Sequence, residues 1–528
     1  MNNTEVDYLQ LFQDLPDLIR RWQSLEVDGE SFIDFLKFGD ISLWDVVVAN
    51  QAFSFLPRAI LRKRNGDIYE WKIKPYLRFF RDVLREFNEK LKAQEVINQR
   101  VNGNGRTKIM FLVFVPRQIA VLAPIIDLLL RDESFEIIVV GSRYEVWNRE
   151  VLNKNIRYVE IEKFINSDIL KQTQINRELL RSKWRILKND KKFQDNIKYK
   201  GVSIWEKAKD NFLNLFIHTF PQLIKQIAIA NTVLDKEKPD LIIGADNWDE
   251  RARIYYLLSR KRCIPTLYVQ YGHVSPTERW DFISADKAAI FDQRTYESLV
   301  RQGADAKKLV VTGNPKFDDL IQKRGFRNDR NTDYNKLKIA PNSKVVLFTS
   351  QPNVAECFPS EKIRKELIAT IYNAVCQMPG VVLIVKPHPG EEAKLHLKLK
   401  SKINSDSIII AENNSNTHQL LLICDILISF HSTTVLEAII LDKPVIVYKI
   451  PDRLGAEHYF QKDCILEVSS KKEITSGLES IFANSDIAKN LKMARQNFFE
   501  EQGYADGLSS KRICELALSM IKNNKTNI

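Results

Sequence analysis

The chain has 528 residues, of which 79 are Lys or Arg and 67 are Asp or Glu, so its formal net charge is +12. Hydrophobic residues make up 44% and charged residues 28%, which is ordinary globular usage and excludes a disordered, collagenous or low-complexity protein. The length predicts more than one domain. No run reaches the ~18–20 apolar residues of a membrane-spanning helix, and the N-terminus has no signal-peptide pattern, so we expect a cytoplasmic protein.

The cysteines and the basic residues are both scattered along the chain. The six cysteines form no CxxC pair, which favours buried free thiols in a reducing compartment over disulfides or zinc ligands. They are Cys263, Cys357, Cys376, Cys424, Cys464 and Cys514. The excess of positive charge permits an anionic partner, namely a nucleotide, a phosphorylated lipid or an acidic membrane surface. Because no nucleic-acid-binding motif accompanies it, we expect no nucleic-acid partner.

Residues 1–100 have apolar residues at helical spacing with Lys and Arg between them, which predicts a helical N-terminal extension. A stripe of large apolar residues is predicted to be a core or interdomain face, with a membrane-surface or partner face as the alternative. Its members are Trp22, Phe32, Phe35, Leu43 and Trp44. The polar, turn-rich residues 101–107 mark a boundary. We expect this extension to direct localisation or assembly rather than chemistry.

Strands and helices alternate twice after this boundary, which predicts two α/β units with parallel sheets. The first set of predicted strands is 108–116, 135–141, 240–246, 266–272, 287–293 and 309–315, with a long basic helical insertion at about 160–235. The second set is 345–352, 381–389, 407–413, 425–432 and 444–450. The polar segment 323–338 separates the two sets and is predicted to be a linker.

The predicted architecture is therefore two Rossmann-like, doubly wound domains facing a cleft, with the helical segment added at the N-terminus. We expect the first domain at 108–322 and the second at 339–528, whose last helices are candidates to pack back on the first. In such sheets, ligands bind beyond the carboxyl ends of the strands, so the polar residues that follow each strand are the candidates for function.

The sequence Lys-Pro-His-Pro directly follows the predicted strand at 381–385. Prolines restrict the backbone and remove N–H donors, so this loop is expected to be rigid. It can hold Lys386 and His388 against a phosphate, with Pro389 fixing the imidazole. The structural alternative is that His388 caps the sheet edge and Lys386 is solvated.

A cluster of hydroxyl side chains lies between the predicted strand DILIS and the helix VLEAIIL. Ser432, Thr433 and Thr434, together with the N-terminus of this helix, predict an anion site. Glu437 has two possible roles: it completes a capping box with Thr434, or it accepts hydrogen bonds from a ribose diol. Ser350, at the end of the predicted strand VVLFTS, is a further candidate for binding the same ligand.

Carboxylates follow the predicted strand DLIIG in the first domain. Asp246 and Asp249 are candidates for a general base that deprotonates an acceptor hydroxyl, with His273 ranked third. In the alternative interpretation, Asp246 is the N-cap of the next helix. Arg251 is placed to hold a carboxylate or an anionic acceptor.

Two further strand ends of the first domain carry polar residues, Gln270 before Gly272 and Asn314 after Gly313. We assign Gln270 and Asn314 to the acceptor side. No Walker A loop, GxGxxG fingerprint, HExxH or GxSxG is present, and no DxD motif lies at a suitable strand end. We therefore expect neither a metal nor a cofactor.

The ordered series QxG, TGNPKFD, KPHP and S-x-H-S-T-T-V-L-E-A resembles bacterial surface-carbohydrate glycosyltransferases of the GT-B fold. Within that group it is similar to the enzymes of capsule and lipopolysaccharide assembly, including the Kdo and sialic acid transferases with an HP motif and the CDP-glycerol-type transferases. The resemblance covers about 108–520. This chain departs from the family at Tyr271, where many relatives have His, and at Lys316, where relatives often have Arg.

The resemblance implies that the second domain binds a nucleotide sugar and the first binds the acceptor. His388 would contact the donor phosphate or nucleotide, and Ser432, Thr433 and Thr434 would bind phosphate, while Glu437 would take the ribose. The implied activity is metal-independent transfer of a sugar from a CMP- or UDP-sugar to a growing surface glycan or lipid-linked acceptor, with peripheral inner-membrane or complex association as a further expectation. A chain beginning near Asn104 should then keep donor binding.

Two other classes of function fit the same architecture. One is a different enzyme, either a CDP-glycerol-type polyol-phosphate transferase or a UDP-sugar 2-epimerase. The epimerase is disfavoured because Phe430, His431 and Ser432 stand where a glycine-rich turn is expected. The other is a non-catalytic nucleotide-sugar-binding scaffold of a polysaccharide assembly complex.

Overall fold

The computed structural model describes residues 8–50, 105–142, 156–272, 280–324, 330–352, 358, 360–388, 390–391, 393–413, 415–430, 432, 434–450, 462–501 and 506–526. His273, Pro389 and Thr433 lie outside these ranges, so their predicted roles stay predictions. Among the residues described, no helix is long and apolar enough to cross a membrane.

The chain divides into two compact units. The first unit is made of Met1–Pro315 and Ser510–Ile528, and the second of Lys316–Ser509. The boundary falls earlier than the one we expected at 322, and the C-terminal helix Ser509–Thr526 lies almost wholly in the first unit.

A seven-stranded parallel sheet forms the centre of the first unit. From one edge to the other its strands are Leu309–Val311, Lys287–Ile290, Thr266–Val269, Leu241–Gly244, Thr107–Val113, Phe135–Gly141 and Arg157–Glu160. Six of them are the strands predicted from the sequence, and Arg157–Glu160 is an edge strand that was not. The order reverses between Thr107–Val113 and Leu241–Gly244, which is the point where doubly wound sheets bind ligands.

Buried apolar side chains cover both faces of this sheet, as expected for strands that are nearly continuous apolar runs. The helices that cover it are Ile119–Leu129, Phe220–Glu237, Glu250–Lys261, Gln293–Arg301 and Ser509–Thr526. The last of these adds Ile513, Ala517 and Met520 to the core on one face.

The N-terminal segment and the helical insertion are built from short hairpins and helices. In the N-terminal segment these are Tyr8–Gln23, Glu26–Val27, Glu30–Ser31, Phe32–Phe35, Lys37–Phe38, Ile41–Ser42 and Leu43–Asn50. In the insertion they are Ser167–Leu187, Lys191–Asn196, Lys198–Tyr199, Val202–Ser203 and Trp205–Asn214, followed by the π-helical turn Leu215–Thr219.

One hairpin-then-helix pattern occurs three times in these two regions. Its copies are VDGESF (27–32), FGDISLW (38–44) and YKGVSIW (199–205), and each turn contains a glycine with positive φ. The residues after the turns pack into one aromatic cluster, in which the ring centroids of Phe32 and Trp44 are 5.1 Å apart and those of Trp205 and Phe212 are 5.8 Å apart. Trp44 also stacks on Phe212 at 6.1 Å. The N-terminal segment and the insertion therefore share one core.

The aromatic stripe predicted at the N-terminus is part of this core. All five of its side chains are buried, so the membrane-surface alternative is wrong for them. A buried arginine also ties the segment to the first unit, because Arg253 donates to the carbonyl oxygens of Val46 at 2.9 Å and Asp45 at 2.6 Å. Within residues 8–50, the extension is a structural part of the first unit.

A six-stranded parallel sheet forms the centre of the second unit. Its strands, in spatial order, are Ile408–Ile410, Val381–Lys386, Lys344–Thr349, Ile426–Ser429, Val445–Tyr448 and Leu466–Val468. The first five are the predicted strands. The order again reverses at the first strand of the unit, between Lys344–Thr349 and Ile426–Ser429.

The helices of the second unit are Asp318–Gln322, Arg330–Leu337, Glu361–Val375, Ala393–Ile403, Thr417–Ile423, Thr434–Ile440, Lys471–Phe482 and Asp486–Glu501. Helix Arg330–Leu337 lies within the segment 323–338 that we predicted to be a linker. Of the cysteines, Cys424, Cys464 and Cys514 are buried free thiols as predicted, whereas Cys263 is exposed and Cys357 lies outside the described residues.

Candidate functional site

The predicted donor-site residues follow three neighbouring strands of the second unit. His388 follows Val381–Lys386, Ser350 follows Lys344–Thr349, and Ser432 follows Ile426–Ser429. Since parallel strands lie about 4.8 Å apart, the two outer loops are separated by about 10 Å at this sheet edge. This distance is about the length of a diphosphate together with part of the groups attached to it.

Hydroxyl groups form a connected chain at this edge. Ser432 Oγ accepts from Thr434 Oγ1 at 3.0 Å and from the Thr434 N–H at 3.3 Å, so it helps to start helix Thr434–Ile440. The Thr434 hydroxyl lies 3.0 Å from that of Thr349, which donates to Ser429 Oγ at 2.9 Å. Among the described residues the Ser432 oxygen accepts both of its hydrogen bonds, so its proton can be donated to a ligand. Thr349 and Ser429 extend the predicted cluster by two members.

The backbone fixes the tautomer of His388. The Gly390 N–H donates to Nδ1 of His388 at 3.0 Å, which places the ring proton on Nε2. Burial, and then the charge of Lys386, lower the pKa of His388, so the imidazole is neutral at pH 7. The Nε2 side of this ring is therefore an N–H donor and not a base.

Lys386 holds the loop that carries His388. Its ammonium donates to the carbonyl oxygens of Pro387 at 2.9 Å and Asn413 at 2.8 Å, and the residue is 4% exposed. We predicted a phosphate contact or a solvated side chain. The solvated alternative is wrong, because the side chain is buried. A phosphate contact would have to use the third N–H of the Lys386 ammonium.

Glu391 organises the loop from behind, and the sequence reasoning did not find it. Its carboxylate accepts from the His388 N–H and from Ser350 Oγ, each at 3.0 Å, and it forms an ion pair with the buried Arg364. His396 Nε2 lies 3.1 Å from Glu391, and its Nδ1 lies 2.8 Å from the Tyr372 hydroxyl. Burial, and then the charge of Arg364, lower the pKa of His396 to about 4, so this histidine is neutral.

Replacing Glu391→Gln should weaken the second unit by about 1.5–3 kcal/mol, because a hydrogen-bonded charge partner of Arg364 is lost. Far-UV circular dichroism during urea denaturation measures the change. As a control, Glu361→Gln removes a partner of Arg364 that is 38% exposed, and it should change the free energy of unfolding by less than about 1 kcal/mol. Equal effects of the two substitutions would contradict the buried network.

Glu437 is paired with the ammonium of Lys316 and lies beside the imidazole of His418, both in the second unit. Its carboxylate lies 2.5 Å from Lys316 Nζ and 3.4 Å from His418 Nε2, and it is 2% exposed. Burial raises the pKa of Glu437, but the hydrogen bond from His418 and the charge of Lys316 outweigh it and hold the pKa below its usual value. The Thr434 N–H donates to Ser432 Oγ, so Glu437 does not complete a capping box with Thr434. Glu437 instead joins Lys316 of TGNPKFD to helix Thr434–Ile440. The predicted ribose contact stays a prediction.

Asp246 lies at the switch point of the first unit and is 4% exposed. Its Oδ1 accepts from the backbone N–H groups of Trp248 at 2.7 Å and Asp249 at 3.0 Å. Burial, and then the charge of Asp249, raise the pKa of Asp246, although these two hydrogen bonds act in the opposite direction. A buried carboxyl with a raised pKa at a strand end is a candidate for a general base.

Asp249, and not Asp246, is the N-cap of helix Glu250–Lys261, because its Oδ1 accepts from the Arg251 N–H at 2.9 Å. Its carboxylate is also paired with the Arg251 guanidinium at 2.7 Å. Arg251 donates at 3.0 Å to the carbonyl oxygen of Phe114 as well. The N-cap interpretation of Asp246 is therefore wrong, and Asp249 is held as a structural ion pair.

Two residues that follow the first strand complete this edge, and the sequence reasoning missed both. Gln118 Nε2 lies 3.4 Å from Asp246 Oδ2, while its Oε1 accepts from the Phe114 N–H at 2.7 Å. The Arg117 guanidinium lies 5.1 Å from the ring centroid of Tyr271. The sequence does contain a signal for both residues, because Arg117 and Gln118 directly follow the strand FLVFVP.

The two predicted acceptor residues at the neighbouring strand ends are buried. Gln270 braces its own loop, donating to the Gly272 carbonyl at 2.8 Å and accepting from the Phe291 N–H at 3.0 Å. Asn314 is 8% exposed. Gln270 therefore shapes the loop, and acceptor contacts by either residue stay predictions. Within the described residues, no three His, Cys, Asp or Glu side chains are grouped to hold a metal ion.

The family comparison matches the C-terminal part of the chain. Residues 273–519 match the family described as CDP-glycerol:poly(glycerophosphate) glycerophosphotransferase. This range contains the Lys-Pro-His-Pro loop, the chain of hydroxyl groups and Glu437. The match supports a transferase. No curated protein matches the chain.

Solved structures share the fold at low sequence identity. An S. aureus MnaA–UDP complex is 16% identical with a TM-score of 0.50, covering 77% of this chain and 95% of the other. A Listeria monocytogenes protein described as a UDP-N-acetylglucosamine 2-epimerase is 15% identical with a TM-score of 0.52, covering 80% of this chain and 98% of the other. A Rickettsia africae glycosyltransferase is 14% identical with a TM-score of 0.50, covering 79% of this chain and 99% of the other. This chain has the GT-B-like fold, with two Rossmann-like α/β units.

Proposed function

We propose that this protein is a metal-independent transferase that moves a sugar from a nucleotide-sugar donor to a surface glycan or glycolipid acceptor. One observation supports it most strongly: a neutral His388, with its proton on Nε2, lies at the same sheet edge as a chain of four hydroxyl groups. Fixed, uncharged donors at a strand-end switch point suit a phosphate that gains charge as it leaves.

In this proposal the second unit binds the donor and stabilises the leaving nucleotide. His388 Nε2–H and the Ser432 hydroxyl donate to the phosphate oxygens, while Glu391 and Lys386 keep the loop in place. As the bond between the sugar carbon and the phosphate oxygen breaks, negative charge moves onto that phosphate, and the donors hold it. Asp246 of the first unit takes the proton from the acceptor hydroxyl that forms the new bond.

A second candidate is transfer of a polyol phosphate from CDP-glycerol, and the family match over 273–519 favours it. Here the acceptor hydroxyl attacks phosphorus, the pyrophosphate P–O bond breaks and CMP leaves. The same donors would serve, because charge again develops on the phosphate that leaves.

Nucleotide release from matched donor and acceptor pairs separates these functions. UDP released from a UDP-sugar, or CMP released from a CMP-sugar, together with a glycosylated acceptor, supports sugar transfer. CMP released from CDP-glycerol together with a phosphorus-containing product supports polyol-phosphate transfer. Isomerisation of a UDP-sugar without acceptor would identify an epimerase, and nucleotide binding without turnover of any donor would identify a scaffold.

His388→Ala should weaken nucleotide binding about ten- to a hundredfold, since a hydrogen bond to a charged phosphate contributes roughly 1.5–3 kcal/mol. Isothermal titration with the nucleotide that the release assay identifies measures the loss. His388→Gln is the matched control, because its side-chain amide keeps an N–H donor without an ionisable ring, and it should recover part of the affinity. The idea fails if both variants bind like the original protein while their melting curves are unchanged.

A further inference from the structure

The helical insertion of the first unit carries an exposed apolar stripe on a basic helix. On Ser167–Leu187, the side chains of Ile175, Leu179 and Ile186 are 53%, 44% and 37% exposed. Their spacing of four and seven residues puts them on one face of the helix. The opposite face is buried in the core through Ile169, Leu170, Thr173, Leu180 and Leu187. The stripe is therefore not the packed side of this helix.

The region around the stripe carries half of the net positive charge of the chain. Residues 167–214 contain twelve Lys or Arg and six Asp or Glu, a net charge of +6, which is half of the +12 of the whole chain in 48 residues. Lys171, Arg181 and Arg185 are exposed on the stripe helix itself. Arg181 pairs with Glu178 at 2.6 Å, and both of these side chains remain open to solvent.

A hairpin in the same insertion adds a protruding apolar residue. In Lys198–Tyr199 and Val202–Ser203, the turn residues Lys200 and Gly201 have positive φ, and Val202 at its end is 68% exposed. Lys198 and Lys200 beside it are exposed as well. This combination of an exposed apolar side chain and neighbouring lysines has the same character as the stripe.

We propose that the exposed face of helix Ser167–Leu187 docks this protein on an anionic phospholipid bilayer. A helix that lies in the membrane interface needs apolar side chains on the outward face with Lys and Arg beside them, and this helix has both. A purely electrostatic ligand would need no exposed Ile and Leu. The surface lies outside the matched family range of 273–519 and is separate from the residues assigned to catalysis.

The test is cosedimentation of the full chain with vesicles of phosphatidylcholine alone and of phosphatidylcholine mixed with phosphatidylglycerol. We expect binding to the anionic vesicles that falls as salt is raised, because salt screens the attraction. Ile175→Ser with Leu179→Ser should weaken this binding about tenfold or more, since two apolar side chains no longer enter the lipid. Both positions are exposed, so the melting temperature should stay unchanged.

The matched control is Ile487→Ser with Met493→Ser, which changes two side chains of similar exposure, 50% and 58%, on a helix of the second unit. It should leave vesicle binding unchanged. The proposal is overturned if the original chain ignores anionic vesicles, or if the two double variants bind equally. Concentration-dependent self-association that the Ile175/Leu179 variant abolishes, with no vesicle binding, would show that the face is a protein interface and overturn it too.

Discussion

Deleting residues 1–50 is expected to unfold the first unit. The deletion removes Trp22, Phe32 and Trp44 from the shared aromatic core, and all three are at most 1% exposed. Loss of one buried Phe or Trp side chain costs about 3–5 kcal/mol. Three such losses reach the roughly 5–15 kcal/mol by which a typical domain is stable. The exposed remainder, including Trp205 and Phe212, would then favour aggregation.

Trp44→Ala provides the graded form of this experiment, with an expected loss of about 3–5 kcal/mol in the free energy of unfolding. The eight tryptophans of the chain all precede residue 316, so tryptophan fluorescence follows the first unit alone. Met493→Ala, in the second unit and 58% exposed, is the control and should leave the fluorescence transition in place. Because the second unit has cores of its own, nucleotide binding there can survive the deletion. An unchanged fluorescence midpoint in Trp44→Ala would contradict the contribution of Trp44 to the shared core.

Asp246→Asn is expected to lower turnover about 10²–10⁴-fold, the usual contribution of a general base. The substitution keeps an oxygen that can accept from the Trp248 and Asp249 N–H groups, so the loop should hold its shape. Steady-state rates with a matched donor and acceptor, together with melting temperature, separate chemistry from folding. Near-normal turnover in the folded variant would place the base elsewhere.

Asp249→Asn is the matched control in the same loop. It keeps a side-chain oxygen for the N-cap and loses the ion pair with Arg251, which is partly open to solvent. We expect it to change turnover much less than Asp246→Asn does. A rate profile over pH provides a second check, because a base acts only when deprotonated. The pKa of Asp246 is raised, so activity should fall on the acid side at a higher pH than for an ordinary aspartate.

The strands were predictable because each is a short apolar run that ends in polar residues. The strands that were not predicted have a weaker apolar pattern. Arg157–Glu160 has one buried residue among four, and Leu466–Val468 has one among three, so neither gives an apolar run. The hairpins of the insertion and the N-terminal segment have strands of two residues, too short for any periodicity. Their repeated turn sequence was the usable signal.

The candidate site was predictable only where chain position determines location. The strand-end rule brought His388, Ser350 and Ser432 to one sheet edge because adjacent strands end together. The partners of Glu391 come from elements far apart in sequence, and Arg364 and His396 give no local signal of their role. The alternative that Asp246 is the N-cap was wrong, and Asp249 caps the helix instead. Either spacing fits a helix start, and only the backbone decides which carboxylate oxygen meets a free N–H.

The return of the C-terminal helix to the first unit has a consequence for how the chain is made. The second unit ends at Ser509 and has two cores of its own. The first unit lacks Ile513, Ala517 and Met520 until the last helix leaves the ribosome, although most of its sheet was synthesised some 200 residues earlier. Helix Ile119–Leu129 covers part of that face from the start, but the part that the last helix covers stays exposed during synthesis. It is an apolar surface that a chaperone could bind.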